Sequence, residues 1–306
     1  MRDMKMKRDF LTLWELSSEE INRLLKRAIE MKSGAGANKC PLIGKSIGLL
    51  FEKASTRTRV SFEVGIYQLG AHPIYLNPNE IQLGRGETGS DTAKTLSRYL
   101  DAVVIRTFGH DLLEDFASHA SIPVINGLSD MHHPCQALGD LMTILEKKGR
   151  LKGMRIAYVG DGNNVANSLI EAASLMEMNL TMACPEGYEP NSQILEKARS
   201  SAKSEIIILR EPKEAAARAD VVYTDVWVSM GQEKKSEEKK KRLKSYQLNS
   251  SLLSCAQKDV IVLHCLPAHR GEEITDEVMD GLHSAVFDQA ENRLHAQKAL
   301  LEMLVV

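Results

Sequence analysis

The sequence predicts an α/β protein made of two doubly wound parallel-sheet domains, and three observations carry that reading. Short apolar runs alternate with helical patterns along the chain, as parallel sheets covered on both faces require. The alternation forms two series, divided at the turn Lys148-Gly149-Arg150-Leu151-Lys152-Gly153. The polar residues that interrupt the apolar runs collect just after them, where open α/β sheets bind ligands. With 306 residues, the chain is long enough for two cores.

In the first series, Ile47-Gly48-Leu49-Leu50-Phe51 reads as a buried strand and 60–67 as the helix after it. Strands are expected at 73–76, 102–107 and 123–126, with helices at 90–100 and 112–119 and a long helix over Pro134–Lys148. The second series opens with Arg155-Ile156-Ala157-Tyr158-Val159. Its further strands are expected at 180–184, Ile206–Leu209, Val221–Thr224, 260–265 and 285–287. A last helix, 292–306, carries many apolar side chains and needs a surface, for which the first domain is the expected partner. The domains are therefore 1–148, joined by 292–306, and 149–291. The mixed-charge run 233–242 reads as a solvated helix or loop, with a lid beside Ser229-Met230-Gly231 as the second reading.

A formal net charge of −2 argues against a nucleic-acid binder with a broad basic face. No apolar stretch approaches bilayer length, and Met1-Arg2-Asp3-Met4-Lys5 lacks the apolar core of a secretion signal. Cys40, Cys135, Cys184, Cys255 and Cys265 are scattered, with no CxxC pair and no metal-ligand spacing. Free thiols in a reducing cytoplasm, with no metal and no cofactor, are the expectation.

The densest chemistry lies in Ser55-Thr56-Arg57-Thr58-Arg59, at a strand-to-helix handover. Free N–H groups and the helix dipole favour an anion there, and a guanidinium adds a fork that matches phosphate oxygens. A plain helix cap on a basic turn is the competing reading, but capping needs fewer such groups. Other polar residues also follow strands: Arg106, His132-His133-Pro134-Cys135-Gln136, Asp161 to Asn164, Asp225, and His264-Cys265-Leu266-Pro267. Singly, Arg106 suits a surface salt bridge, His133 a helix cap and Cys265 a small core residue. Gly160-Asp161-Gly162-Asn163-Asn164-Val165 is similar to a dinucleotide turn without its third glycine, and Glu186 would mimic a ribose-binding acid.

Together these motifs resemble the aspartate/ornithine carbamoyltransferase family, over nearly the whole chain. Ser55-Thr56-Arg57-Thr58-Arg59 and His133-Pro134-Cys135-Gln136 are shared across that family. Phe51-Glu52-Lys53, Asp225-Val226-Trp227-Val228-Ser229-Met230-Gly231, His264-Cys265-Leu266-Pro267-Ala268-His269-Arg270-Gly271 and Phe287-Asp288-Gln289-Ala290-Glu291-Asn292-Arg293 look like its ornithine branch. Leu282 stands where that branch leads one to expect proline. The resemblance implies transfer of a carbamoyl group from carbamoyl phosphate to the δ-amine of L-ornithine, giving L-citrulline, in arginine metabolism. It implies an active site in the cleft between the domains of a homotrimer. Carbamoyl phosphate would be held by Ser55, Thr56, Arg57, Thr58, Arg106, His133, Pro134, Cys135, Gln136, Cys265, Leu266 and Arg293, with Gln82 from a neighbouring subunit. Ornithine would be held by Asn164, Asp225, Ser229 and Met230. A cis Leu266–Pro267 bond is implied too; X–Pro is where cis costs least.

Elementary chemistry supports these roles. Attack on the carbamoyl carbon builds negative charge on its oxygen, which Arg106, His133 and the Thr58 hydroxyl can stabilise. The attacking amine, with a free pKa of about 10, must first lose a proton. A carboxylate beside it favours the ammonium form, so Asp225 suits the α-ammonium and Cys265 becomes the candidate proton acceptor. Among rival substrates, putrescine lacks the amino-acid head that Asp225 and Ser229-Met230-Gly231 would meet. Lys53 speaks against aspartate, and a nicotinamide dehydrogenase would leave the phosphate motif unexplained.

Overall fold

Every strand pairing within the two sheets is parallel, as the alternating pattern requires. The computed structural model describes residues 7–34, 40–81, 86–228 and 236–306. The chain divides into one unit of Met1–Leu138 with Arg293–Val306 and a second of Gly139–Asn292.

In the first unit, α1 (Ser18–Lys32) leads to β1 (Ser46–Phe51), α2 (Thr56–Gln68), β2 (His72–Leu76), α3 (Gly89–Leu96), β3 (Ala102–Arg106), α4 (His110–His119) and β4 (Val124–Leu128). α5 (Pro134–Lys148) then runs across the division. α1 begins at a capping box, in which Ser17 Oγ accepts the Glu20 N–H and Glu20 accepts the Ser17 N–H. Its Ile21, Leu24, Leu25 and Ala28 form a buried stripe at helical spacing. The sheet order is β2-β1-β3-β4, so the winding reverses between β1 and β3. Leu50, Val103, Ile105 and Val124 of this sheet pack with Ala93, Leu113, Phe116 and Ala117 of α3 and α4.

The second unit contains β5 (Arg155–Val159), α6 (Asn164–Leu175), β6 (Asn179–Ala183), α7 (Ser192–Ser201), β7 (Ile206–Leu209), α8 (Pro212–Ala216) and β8 (Val221–Thr224). It continues with α9 (Ser236–Leu243), α10 (Ser250–Leu253), β9 (Ile261–His264) and α11 (Asp276–Met279). Its sheet order, β7-β6-β5-β8-β9, reverses between β5 and β8. α6 is buried along Val165 to Ser174, where small and apolar residues enclose the polar Asn167 and Glu171. No helix among the described residues is long and apolar enough to cross a membrane.

The expected strand at 285–287 is instead the start of a helix, α12 (Val286–Val305). The backbone first runs beside β9, where Val262 N–H donates to His283 O at 2.8 Å and Ala285 N–H to Val262 O at 3.0 Å. Gln289 N–H then donates to Ala285 O at 2.9 Å, and the chain is helical. A three-residue apolar run has too little length to declare its period. Within the first unit, the later part of α12 buries Ala296, Ala299, Leu300 and Leu301. There Glu302 accepts the Arg27 Nε–H at 2.7 Å and Lys298 donates to Gln68 at 2.9 Å.

Candidate active site

The two reversals of winding are topological switch points, where the carboxyl ends of neighbouring strands splay apart and leave a crevice. The sequence-expected residues fall at both. In the first unit, the β1 end passes through Ser55 into α2. Ser55 caps that helix, its Oγ accepting the Thr58 N–H at 3.2 Å. Thr56 is exposed and Arg57 half-buried, and among the described residues Arg57 has no carboxylate partner. Thr58 is buried, and its hydroxyl accepts from Arg293 Nη2 at 2.7 Å.

Arg106 ends β3 across the switch point and is 5% exposed. The β3–β4 register slips there, Ile105 facing Asn126 but Arg106 facing Leu128. Such a bulge re-aims the side chain beside it. Gly127 occupies the slip, where a Cβ would lie 3.2 Å from Ile105 O. His133 precedes α5 and is buried, as is Gln136. Burial first, then Arg293, Arg106 and Arg57, hold the His133 imidazole well below its ordinary pKa of 6.5. The ring is therefore neutral, with three arginines around it. Pro134 opens α5, where a missing N–H costs nothing. The Cys135 thiol is fully buried against the Asn126 carbonyl at 3.3 Å, and burial pushes its pKa up to about 12. Any ligand contact at Cys135 thus falls to its backbone.

Two neighbouring cations are engaged elsewhere. Lys53 pairs with Asp130 and sits 4.1 Å from the Phe108 ring centroid. Arg59 binds Glu63 at 2.9 Å and stacks 3.6 Å over the Tyr75 ring.

In the second unit, β5 runs into the Gly160–Asn164 turn. Asn163 caps α6, its Oδ1 accepting the Val165 and Ala166 N–H groups, and its Nδ2 donates to Asp225 Oδ2 at 2.7 Å. Asn164 follows, half-buried, as the first residue of α6. Asp225, 2% exposed, follows β8, and its other oxygen accepts from the Cys265 thiol at 2.8 Å. His264 closes β9. Its Nε2 lies 3.1 Å from the buried Glu273 carboxylate, and its Nδ1 accepts the Leu266 N–H at 2.9 Å. That bond holds Leu266 at φ 60° ahead of a cis Leu266–Pro267 bond.

The dinucleotide-like glycines have a packing cause. A Cβ on Gly162 would lie 2.2 Å from Pro190 N, and the Gly162 N–H donates to Tyr188 O at 2.8 Å. Gly162 is small because the 188–190 backbone crosses it. Glu186 is exposed.

Two family models match the chain in succession. One, described as the carbamoyl-P binding domain of aspartate/ornithine carbamoyltransferase, covers residues 8–146, and one described as its Asp/Orn binding domain covers 152–304. The chain belongs to the aspartate/ornithine carbamoyltransferase family. It is 53% identical to an ornithine carbamoyltransferase of Syntrophus aciditrophicus, over 98% of this chain and 100% of that one. It is 54% identical to that of Methanosarcina mazei, again over 98% and 100%. The solved ornithine carbamoyltransferase of Pyrococcus furiosus superposes with a TM-score of 0.93 at 49% identity, covering 98% of this chain and 97% of that one.

Within this carbamoyltransferase, the first unit brings together Ser55, Thr58, Arg106, His133, Gln136 and Arg293, and the second unit Asn164, Asp225, Cys265 and Leu266. Gln82, Ser229 and Met230 lie outside the described residues. Sequence reasoning placed Asn163 and His264 among the strand-end polar residues without giving either a role, and it missed Glu273. The cap preference of Asn was a usable signal for Asn163. Nothing local marks Glu273, which is one acid of the pair Glu272-Glu273 and becomes the His264 partner only through the fold.

Proposed function

We propose that this chain is an ornithine carbamoyltransferase, transferring the carbamoyl group of carbamoyl phosphate to the δ-amine of L-ornithine and releasing L-citrulline and phosphate. One observation carries the reading: three arginines around a neutral imidazole in one unit, and a carboxylate–thiol pair in the other, in a chain of this family. The first arrangement suits a phosphorylated, oxyanion-forming donor. The second suits an amine.

Phosphate sits on the α2 N-terminus, held by Ser55, Thr56, Arg57 and Thr58, with Gln82 supplied by a neighbouring subunit. Arg106 and neutral His133 donate to the carbamoyl oxygen; a neutral imidazole can polarise a carbonyl without giving up a proton. Pro134, Cys135, Gln136, Leu266 and Arg293 complete the carbamoyl pocket. Asn164, Asp225, Ser229 and Met230 hold the amino-acid head of ornithine. The δ-nitrogen bonds to the carbamoyl carbon as the carbon–oxygen bond to phosphate breaks. Before attack, Cys265 Sγ takes one proton from the δ-ammonium as its own hydrogen shifts towards Asp225, and the second proton leaves the nitrogen with the departing phosphate. Carbamoyl phosphate, which carries most of the charge and meets the anion-favouring start of α2, binds first, and ornithine follows.

The enzyme works in the cytoplasm, in arginine metabolism, as a homotrimer. Val60, Val64 and Tyr67 support a subunit contact, lying 49%, 37% and 76% exposed at helical spacing along α2. The test is citrulline formation from carbamoyl phosphate with ornithine, putrescine, aspartate or N-acetylornithine offered separately. Ornithine alone should give turnover. Equal turnover with another acceptor would overturn the substrate assignment.

A further inference from the structure

Two adjacent lysines of α9 tie together the strand-end loops that build the amine half-site. Lys239 Nζ meets Asp161 Oδ2, after β5, at 2.7 Å, with both side chains 9% exposed. Lys240 Nζ meets Glu272 Oε1, after β9, also at 2.7 Å. The rest of the helix does not explain a buried lysine. Glu237, Glu238, Lys241 and Arg242 are exposed, and Leu243 anchors α9 in the apolar core. Lysine is almost never buried without a partner, and Lys239 has the Asp161 carboxylate beside it and the Tyr188 ring centroid 5.5 Å away.

Asp161 sits two residues before Asn163, whose amide donates to Asp225. The Asp161 carbonyl accepts the Tyr158 hydroxyl at 2.8 Å, fixing the turn on β5. Two buried carboxylates, Asp161 and Asp225, therefore share this loop cluster. Burial, with a smaller push from Asp225, raises the Asp161 pKa to about 6 against the pull of Lys239. Lys239 ties this turn to α9, and without that tie the turn that carries Asn163 is free to shift.

We propose that Lys239 is a positioning residue of the amine half-site: it holds Asp161, and through that turn Asn163, so that Asp225 keeps the geometry that receives an aliphatic ammonium. The inference rests on the carbamoyltransferase reading above and adds to it a residue outside every motif of the sequence. It predicts a selective fault. Losing Lys239 weakens the amino-acid substrate and leaves carbamoyl phosphate binding intact, since the phosphate-holding turn Ser55 to Thr58 belongs to the first unit.

The test uses full-length Lys239→Met, Lys239→Arg and the double variant Lys239→Met/Asp161→Asn. Ornithine kinetics, carbamoyl phosphate calorimetry and Trp227 emission in a Trp14→Phe background are measured. The Trp227 indole, 4% exposed, lies 3.9 Å from the Cβ position of Gly160 and so reports on the turn. Lys239→Met should raise the ornithine KM about tenfold or more, keep kcat within about threefold, leave carbamoyl phosphate affinity unchanged and shift the Trp227 emission. Lys239→Arg should restore the KM to within about threefold of the parent. The double variant, which buries no lone charge, should recover thermal stability but not the ornithine KM. An ornithine KM that stays at the parent value in Lys239→Met, or returns with stability in the double variant, overturns the proposal. A parent that makes no citrulline sinks the carbamoyltransferase reading instead. Trp227 then decides, and unchanged emission in Lys239→Met overturns the positioning role.

Discussion

The two half-sites solve opposite electrostatic problems with similar topology. Each lies at the point where a parallel sheet reverses its winding. The first gathers Arg57, Arg106 and Arg293 around an imidazole kept neutral. The second gathers Asp161 and Asp225, and buries one lysine against Asp161. The first therefore attracts an anion without spending a proton, while the second attracts a cation and still has groups able to receive one. Fold supplies the crevice in both; the sign of the buried charge decides what enters it.

The largest effect should come from removing Arg57, a cation with no carboxylate partner among the described residues. Arg57→Gly should lower kcat/KM about 10²–10³-fold, as expected for a charged donor lost from a partly desolvated anion site. Calorimetry should show carbamoyl phosphate binding lost. Activity at the parent level would erase the contrast between the units.

The thiol tests the other side. Cys265→Ser should lower kcat about 10²-fold and change its alkaline pH dependence, while carbamoyl phosphate affinity holds. Cys40→Ser, Cys184→Ser and Cys255→Ser should leave turnover unaffected. Full turnover in Cys265→Ser would move the proton acceptor elsewhere, to solvent or the departing phosphate.

Acid stability should separate the units by sign. In the first, burial followed by the neighbouring His132 holds the His110 pKa down to about 4. The unfolded chain takes that proton near pH 6.5, so the stabilisation is complete above 6.5 and is lost as pH falls towards 4. Asp161 runs the other way. Raised to about 6, its contribution is fullest below the ordinary carboxylate range and is lost as pH rises through 6. His110→Asn should flatten the acid limb of the urea midpoint by about 1–2 kcal/mol, after discounting its partial exposure to solvent. Asp161→Asn should steepen that limb between about pH 4 and 6. Parallel curves for both variants would show that neither group titrates as its surroundings require.

What the sequence made legible follows the same division. Strands Arg155–Val159, Ile206–Leu209 and Val221–Thr224, and helix Pro134–Lys148, lie where their apolar patterns put them. The anion half-site was legible because its groups crowd one turn, Ser55 to Thr58, and one helix start. Arg293 entered only by resemblance, since its contact with Thr58 joins positions at opposite ends of the chain. The amine half-site was half legible. Asp225 and Cys265 each follow a readable strand, but Lys239 was hidden in a charge run whose composition promises solvent exposure. The buried Lys239 meets an aspartate 78 positions away in the chain, which no local pattern records.

The smallest effect should be the sharpest check on motif reading. Arg57 and Arg59 belong to one five-residue motif and have the same chemistry. The structure gives them different employment. Arg59 is bound to Glu63 at 2.9 Å, four residues on along α2, and lies over the Tyr75 ring. Arg59→Gln should therefore leave carbamoyl phosphate affinity and kcat within about threefold of the parent. A half-exposed i,i+4 pair and a half-exposed stacking contact together contribute about 0.5–1 kcal/mol to stability, so the urea midpoint should fall only slightly. Calorimetry and urea titration on the same preparation would read both quantities. If Arg59→Gln abolished carbamoyl phosphate binding as Arg57→Gly is expected to, the guanidinium would have to leave Glu63 for the phosphate, and the anion half-site would hold four arginines rather than three.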